Sequence, residues 1–348
     1  MNVKKYFRGN HRYDPIRCWY ESFLNHNSDS LDFDVWLGNG WWDGKDGLHV
    51  WNSDNDLDPE RYNILIDFES RNNHKDWEHL FDRVLTLDAD VVEWRNNLLG
   101  EEKYVYVYTP TSDHWFNQDH DKKPRDVVIC GRIADRYLME NMLKPLVSFD
   151  HMWVGRGKGD IPKEIVCEMK GGGYQEKMEI ISRSKVMICW NAVPFTWNAA
   201  DQMMNRPSML NNPTNRHLHF IKGSKGSWPP EFVDLMKDSA NEWKKYATNT
   251  KYLKPQLKTR SFEAAANKSL MLVCYDEFRH IETWFTEGED FIYFQPGELE
   301  CTLREVLQNF KNYEHIVASA YNKTSSLYKT SNFWNDFVET QKPKVVNK

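Results

Sequence analysis

The sequence predicts an α/β fold in two domains. Short apolar runs of strand length recur along it, with helical patterns between them. A chain of 348 residues is long enough for two cores, since domains typically run to ~100–200 residues. Hydrophobic residues at 40% and charged residues at 28% give a globular rather than a disordered balance.

In the first domain, residues 1–120, strands are expected at Asp34–Leu37, Asn63–Phe68, Arg83–Leu87 and Tyr104–Tyr108, the last rich in strand-forming Tyr and Val. Helices are expected at Asp14–Leu24 and Asp76–Phe81. The charged stretch His120–Pro124 reads as a linker. The second domain, residues 121–322, opens with the strand Asp126–Cys130, which runs into Gly131-Arg132 and a helical stretch at Ala134–Leu143. Strands follow at Met152–Val154, Ile165–Glu168, Lys185–Trp190 and Ser269–Cys274, and helices at Glu176–Ser182 and Thr259–Ala266. Residues 192–256, rich in Asn, Met, Trp and Pro, interrupt this rhythm as an insertion. Within it Phe232, Met236, Ala240 and Trp243 recur at helical spacing around Pro230–Tyr246. From Gly297 to Thr340 the chain reads as helical, with Leu299, Leu303, Val306 and Phe310 on one face. Residues 323–348 are a C-terminal helix and a basic tail.

Residues 1–10 carry charges and no apolar core of the signal-peptide kind, and no apolar run approaches the ~20 residues that span a bilayer. Six scattered cysteines, three of them (Cys130, Cys189, Cys274) inside apolar strand-like runs, suit a reducing compartment. A cytoplasmic protein is expected. The net charge of −6 is uneven: residues 1–120 hold 23 Asp+Glu against 12 Lys+Arg, and the remainder 28 against 33. The second part is thus better suited to hold an anion, although a solvated acidic face gives the first part the same composition.

The stretch Leu257–Phe294 carries most of the chemistry. Thr259 suits an N-cap, and Asn267 suits the left-handed residue that ends a helix. Lys258 and Arg260 then stand where a helix begins, with cations and orphan N–H groups converging as a phosphate requires. Glu263, three residues after Arg260, lies on the same side and offers a carboxylate to sugar hydroxyls. A surface pairing of Arg260 with Glu263, worth ~0.2–0.5 kcal/mol, fits the spacing equally well.

The pattern Arg-x-Phe-Glu-Ala-x-Ala from Arg260, an apolar strand, then Glu-Gly-x-Asp-Phe-x-x-Phe and a Glu-Leu helix resembles the donor half of GT-B glycosyltransferases. It is similar to the group-1 and CgeB-like families, and to the matching segment of phage DNA beta-glucosyltransferase. The run DVVICGR at Asp126–Arg132, and Gly173-Tyr174 before a helix, resemble the strand that opens the donor domain and the nucleobase-side unit. This resemblance implies two Rossmann-like domains facing across a cleft, with C-terminal helices packing back on the first. It implies a UDP-sugar donor and no metal. It assigns Glu263 to the ribose, Arg260, Lys258, Arg132 and Gly131 to the diphosphate, and Tyr174 to the nucleotide. The group-1 enzymes carry a further glutamate eight residues before the helix glutamate, where this chain has Pro255.

For the proton-accepting base of an inverting transfer, Asp67, Glu69 and His74 lie at or just after a strand end, and Asp113-His114 follow another. Capping and salt-bridge roles suit these side chains as well. Trp36–Trp51 holds four of the fifteen tryptophans among Gly, Asp and Asn, which suits either a core or the apolar face of a sugar ring. Asp54, Asp56 and Asp58 lack the Gly and terminal Glu of a calcium loop. The expected activity is transfer of a sugar to a hydroxyl acceptor. A saccharide or glycan is placed ahead of hydroxymethylated DNA, because the acidic first domain opposes a polyanion. A sugar-nucleotide epimerase and a non-enzymatic coat or binding protein are the alternatives.

Overall fold

The computed structural model describes residues 3–6, 33–38, 60–67, 78–87, 89–117, 123–133, 136–155, 157, 161–168, 173–194, 253–255 and 257–341. The chain divides into two compact units, residues 1–117 with 325–348, and residues 118–324.

The first unit holds a five-stranded, all-parallel sheet of β1 (Val3–Tyr6), β2 (Phe33–Gly38), β3 (Tyr62–Asp67), β4 (Arg83–Thr86) and β5 (Tyr104–Tyr106), in that spatial order. Val35, Ile64, Leu65, Ile66, Val84 and Leu85 are buried, the continuous apolar run of strands covered on both faces. Trp36 belongs to this core, its indole N–H donating to Asn63 Oδ1 at 2.9 Å. Asn96 of α1 (Ala89–Leu99) fastens helix to strand: its Oδ1 accepts from the Lys103 and Tyr104 amides, and its Nδ2 donates to the Tyr104 carbonyl. The C-terminal segment joins the same unit through the Thr111 amide, which donates to the Tyr328 carbonyl, and through Tyr108, edge-on to Phe333 and Phe337.

Two elements here depart from expectation. Residues 76–81 give only a 3-10 turn, Glu78–Leu80, whereas the helix lies further on, in α1. α1 has a weak apolar stripe, with Leu98 and Leu99 exposed, so hydrophobic periodicity does not reveal it. The expected helices at Asp14–Leu24 and Pro230–Tyr246 lie outside the described residues.

The second unit holds a six-stranded parallel sheet of β6 (Arg125–Cys130), β7 (His151–Val154), β8 (Cys167–Glu168), β9 (Ser184–Cys189), β12 (Leu270–Cys274) and β13 (Ile292–Phe294). Their spatial order is β13-β12-β9-β6-β7-β8. The chain therefore builds outward from β6 in one direction, returns, and builds outward from β9 in the other. A short antiparallel ladder, β10 (Ala192–Pro194) with β11 (Leu253–Pro255), brackets the long insertion. Helix α2 is Tyr174–Ser182, α3 Arg260–Ala266, α4 Leu299–Gln308 and α5 Glu314–Leu327. Leu299, Leu303 and Val306 of α4 are buried on one face, and Ala264, Ala265 and Ala266 let α3 lie close on the sheet. Among the described residues no helix is long and apolar enough to cross a membrane.

Lys123 ties three elements together: its ammonium donates to the carbonyls of Ser182, Ser184 and Asn267, at 2.8, 3.2 and 2.9 Å. Burial, and secondarily Lys268, push Lys123 down to about 7. Three carbonyl acceptors at once call for all three N–H bonds of the charged form and oppose that fall. The expected helix over Ala134–Leu143 becomes a short α-turn, Arg136–Leu138, then a π-turn and a 3-10 turn at Lys144–Ser148, where Pro145 has no N–H to continue the ladder. The ends of α3 also differ from expectation. Thr259 is itself helical and makes no side-chain cap, and the left-handed residue is Lys268. Asn267 is held in place by its side chain, which donates to the Glu263 carbonyl at 2.8 Å.

Candidate functional site

In an open parallel sheet, ligands bind beyond the carboxyl ends of the strands, at the point where strand order reverses. In the second unit that point lies between β6 and β9. The residues that leave those two strands are Gly131, and Trp190 with Asn191.

Gly131 adopts φ +132, a conformation that L side chains rarely take. A Cβ there would lie 3.2 Å from Arg260 Nη2 and 3.3 Å from the Trp190 ring. Its carbonyl accepts from the Trp153 indole at 2.9 Å, and Gly155 packs so closely that a Cβ on it would lie 2.0 Å from that carbonyl oxygen. Gly131 is therefore small and fixed in position because its neighbours leave no room.

Arg260, at the start of α3, lies flat on Trp190, with Cζ 3.6 Å from the ring centroid, and its Nη1 donates to the Trp190 carbonyl at 2.5 Å. Stacking and hydrogen bond together orient the guanidinium plane. One turn on, the Glu263 carboxylate is 2% exposed and meets Lys177 Nζ of α2 at 2.6 Å. The Lys177 ammonium lies 5.2 Å from the centroid of the Tyr174 ring. Three elements thus converge: α2 brings Tyr174 and Lys177, the β6 and β9 ends bring Gly131 and Trp190, and α3 brings Arg260 and Glu263. Burial pushes the thiols of Cys130 and Cys189, beneath this cluster, up to about 12, which makes them packing groups rather than nucleophiles. Asn191 is 1% exposed, and neither its Oδ1 nor its Nδ2 has a hydrogen-bond partner.

Of the residues singled out in the sequence, Gly131, Tyr174, Arg260 and Glu263 meet here. Lys258 is half-buried just before α3, and Arg132 is exposed beside Gly131. A surface pair of Arg260 with Glu263 does not describe the structure, since both are buried and each is engaged from another element. In the other unit Asp67 ends β3 at 1% exposure, and Asp113 opens a 3-10 turn where its Oδ1 accepts from Ser331 Oγ at 3.3 Å. Glu69, His74 and the tryptophans beyond Trp36 in Trp36–Trp51 lie outside the described residues. Lys177, Trp190 and Asn191 were not foreseen. Trp190 reads as the last residue of a strand, and only the burial of its neighbours shows that it is a platform.

Residues 211–339 match the model of a family described as glycosyl transferase-like. Sucrose-phosphate synthase from Thermosynechococcus elongatus is similar in structure, with a TM-score of 0.50 at 8% identity over 96% of this chain and 80% of that one. This is a glycosyl transferase-like protein with a GT-B fold. The glycosyl transferase-like protein also resembles S. aureus TarM in a complex containing UDP, with a TM-score of 0.49 at 9% identity, covering 92% of this chain and 57% of TarM. The pneumococcal O-GlcNAc transferase GtfA, solved with UDP and GlcNAc, gives 0.47 at 11% identity, with 92% and 59% covered. The chain thus spans little more than half the length of TarM and GtfA. No curated protein matches the sequence.

Proposed function

We propose that this protein transfers a sugar from a nucleotide-sugar donor, UDP-linked by the resemblance of its donor half, to a hydroxyl acceptor. The observation that carries this reading is the Arg260–Trp190–Gly131 cluster at the switch point of the six-stranded sheet. A guanidinium held flat at that place, over a glycine that keeps the backbone close, suits a diphosphate. Lys258 and Arg132 add charge on either side, and Tyr174 stands on the nucleotide side. Glu263 takes the ribose hydroxyls: Lys177 keeps its carboxylate ionised, and a carboxylate has acceptor capacity beyond that one partner.

Bond cleavage builds charge on the departing diphosphate, and a pre-oriented cation stabilises that charge without reorganising. Arg260 is the residue that performs this role, and Arg132 and Lys258 assist it. Asp67, Glu69 and Asp113 are the candidate bases for the acceptor hydroxyl. A neutral saccharide is the acceptor that suits the acidic residues 1–120, with 23 Asp+Glu against 12 Lys+Arg.

The test is thermal denaturation against a panel of UDP-, GDP- and ADP-sugars, followed by a donor-hydrolysis assay. A ligand at 100 times its Kd stabilises a fold by about 2.7 kcal/mol, a shift of several degrees. A UDP-sugar should raise the transition and be turned over slowly. A flat response to the whole panel would contradict the reading. Salt-sensitive binding of hydroxymethylcytosine duplex with sugar transfer to it would replace the saccharide acceptor by DNA.

A further inference from the structure

Buried polar side chains are hydrogen-bonded in the large majority of cases, and Asn191 breaks that rule twice. Its amide is 1% exposed, and both the oxygen and the nitrogen lack partners. The residue is not loosely placed. On one side Trp190 is locked to Arg260 through carbonyl and ring. On the other, Ala192 begins the β10–β11 ladder opposite Pro255. The backbone at Asn191 is therefore held from both directions, immediately beyond the end of β9, with a donor and an acceptor kept ready.

We propose that Asn191 reads the sugar of the nucleotide-sugar donor, Nδ2 donating to one hydroxyl and Oδ1 accepting from another. This rests on the donor reading above and assigns the part of the donor that Arg260 and Glu263 do not hold. The pairing of one donor with one acceptor selects the ligand. Phosphate oxygens only accept, so a phosphate would satisfy Nδ2 and leave Oδ1 facing negative charge. Sugar hydroxyls donate and accept, and two neighbouring ones satisfy both atoms. A uracil imide edge has the same complementarity, but the nucleobase side belongs to Gly173-Tyr174 at the start of α2, on a different element. The amide thus makes Asn191 a specificity-determining residue toward a neutral hexose. It supplies no charge and takes no proton.

The experiment is calorimetric titration of wild type and Asn191→Leu with free UDP, UDP-glucose and UDP-N-acetylglucosamine, alongside thermal denaturation without ligand. Leucine has nearly the shape of asparagine and no polar atoms. Asn191→Leu should keep UDP affinity within about twofold and bind the preferred UDP-sugar about tenfold or more weakly. It should melt no lower than wild type, because it breaks no hydrogen bond of the unliganded protein. If the leucine variant fails to fold, Asn191→Ser gives the same two titrations with a smaller polar group. An unchanged UDP-sugar affinity overturns the proposal, and so does an equal loss for UDP and UDP-sugar, which would place Asn191 on the nucleotide. If wild type binds neither UDP nor any UDP-, GDP- or ADP-sugar, the donor reading itself falls, a distinct outcome from the other two.

Discussion

The two sheets are built from the same kind of strand and differ in one topological event. The first adds β1 to β5 in sequence order, each beside the last. The second starts at β6, grows to β8, then returns to place β9 on the opposite side of β6. That return leaves two adjacent strand ends whose following loops diverge. At this place Gly131, Trp190, Asn191 and Arg260 gather, with a guanidinium oriented by stacking and an amide without partners. The described polar groups of the first unit are joined mostly to their own neighbours, as Asp113 is to Ser331 and Asn63 to Asp82. Strand chemistry makes a sheet, and the order in which the strands arrive makes a place for a ligand.

If the units divide the work, changes in the first should alter turnover and changes in the second should alter donor binding. The largest effect is expected from Asp67→Asn. Removal of a general base typically costs about 10²–10⁴ in rate, so turnover should fall by that much with donor affinity unchanged. A steady-state assay beside a donor titration checks this, and unchanged turnover passes the role to Glu69 or Asp113. Next is Glu263→Gln, which keeps the shape of the side chain and removes its charge. Donor affinity should fall about tenfold or more, whereas an unaltered calorimetric affinity in the folded variant takes Glu263 out of the site.

Gly155→Ala probes the backing of the site rather than its contacts. The added methyl would sit 2.0 Å from the Gly131 carbonyl oxygen, so the backbone must move. Overpacking of this kind costs about 1–3 kcal/mol, and denaturant melts should show that loss with weakened donor binding. An effect on stability alone would show that the Gly131 turn tolerates displacement.

The smallest effect concerns Asp290. Burial alone would raise its pKa, but hydrogen bonds from Lys323, the Thr286 amide and Ser319 together hold the carboxyl below its ordinary range. A depressed carboxylate contributes stability that is complete above the unfolded value near 3.8 and is lost as pH falls through the folded value. Asp290→Asn should therefore destabilise by about 1–2 kcal/mol at neutral pH, with the difference from wild type shrinking below pH 4. A constant difference across that range would show that packing, not charge, is what the substitution removes.

Much of the second unit was legible in the sequence because local chemistry and fold agree there. Val127, Val128 and Ile129 alternate with nothing polar, and Gly131 follows as the only residue type that its φ admits. Glu263 and Arg260 were legible as neighbours on one turn of helix, but their partners were not. Lys177 meets Glu263 across 86 positions, and Trp190 meets Arg260 across 70, so no local pattern encodes either contact. Asn191 was invisible for another reason: its distinguishing property is a missing partner, and only burial reveals that. In the first unit α1 escaped notice because its apolar stripe is weak and its hold on β5 comes from the side chain of Asn96 rather than from periodicity. The left-handed turn after α3 moved from Asn267 to Lys268 because the Asn267 amide was already engaged with the Glu263 carbonyl.

The central claim is that the switch point of the six-stranded sheet holds the diphosphate of a sugar donor and stabilises it as it leaves. Arg260→Ala tests it most directly, by measuring kcat and donor Kd on the same folded protein. The account predicts that kcat falls by a larger factor than donor affinity, because charge on the leaving diphosphate is greatest in the transition state. Wild-type kcat in a variant that still binds the donor, or only more weakly, would contradict it.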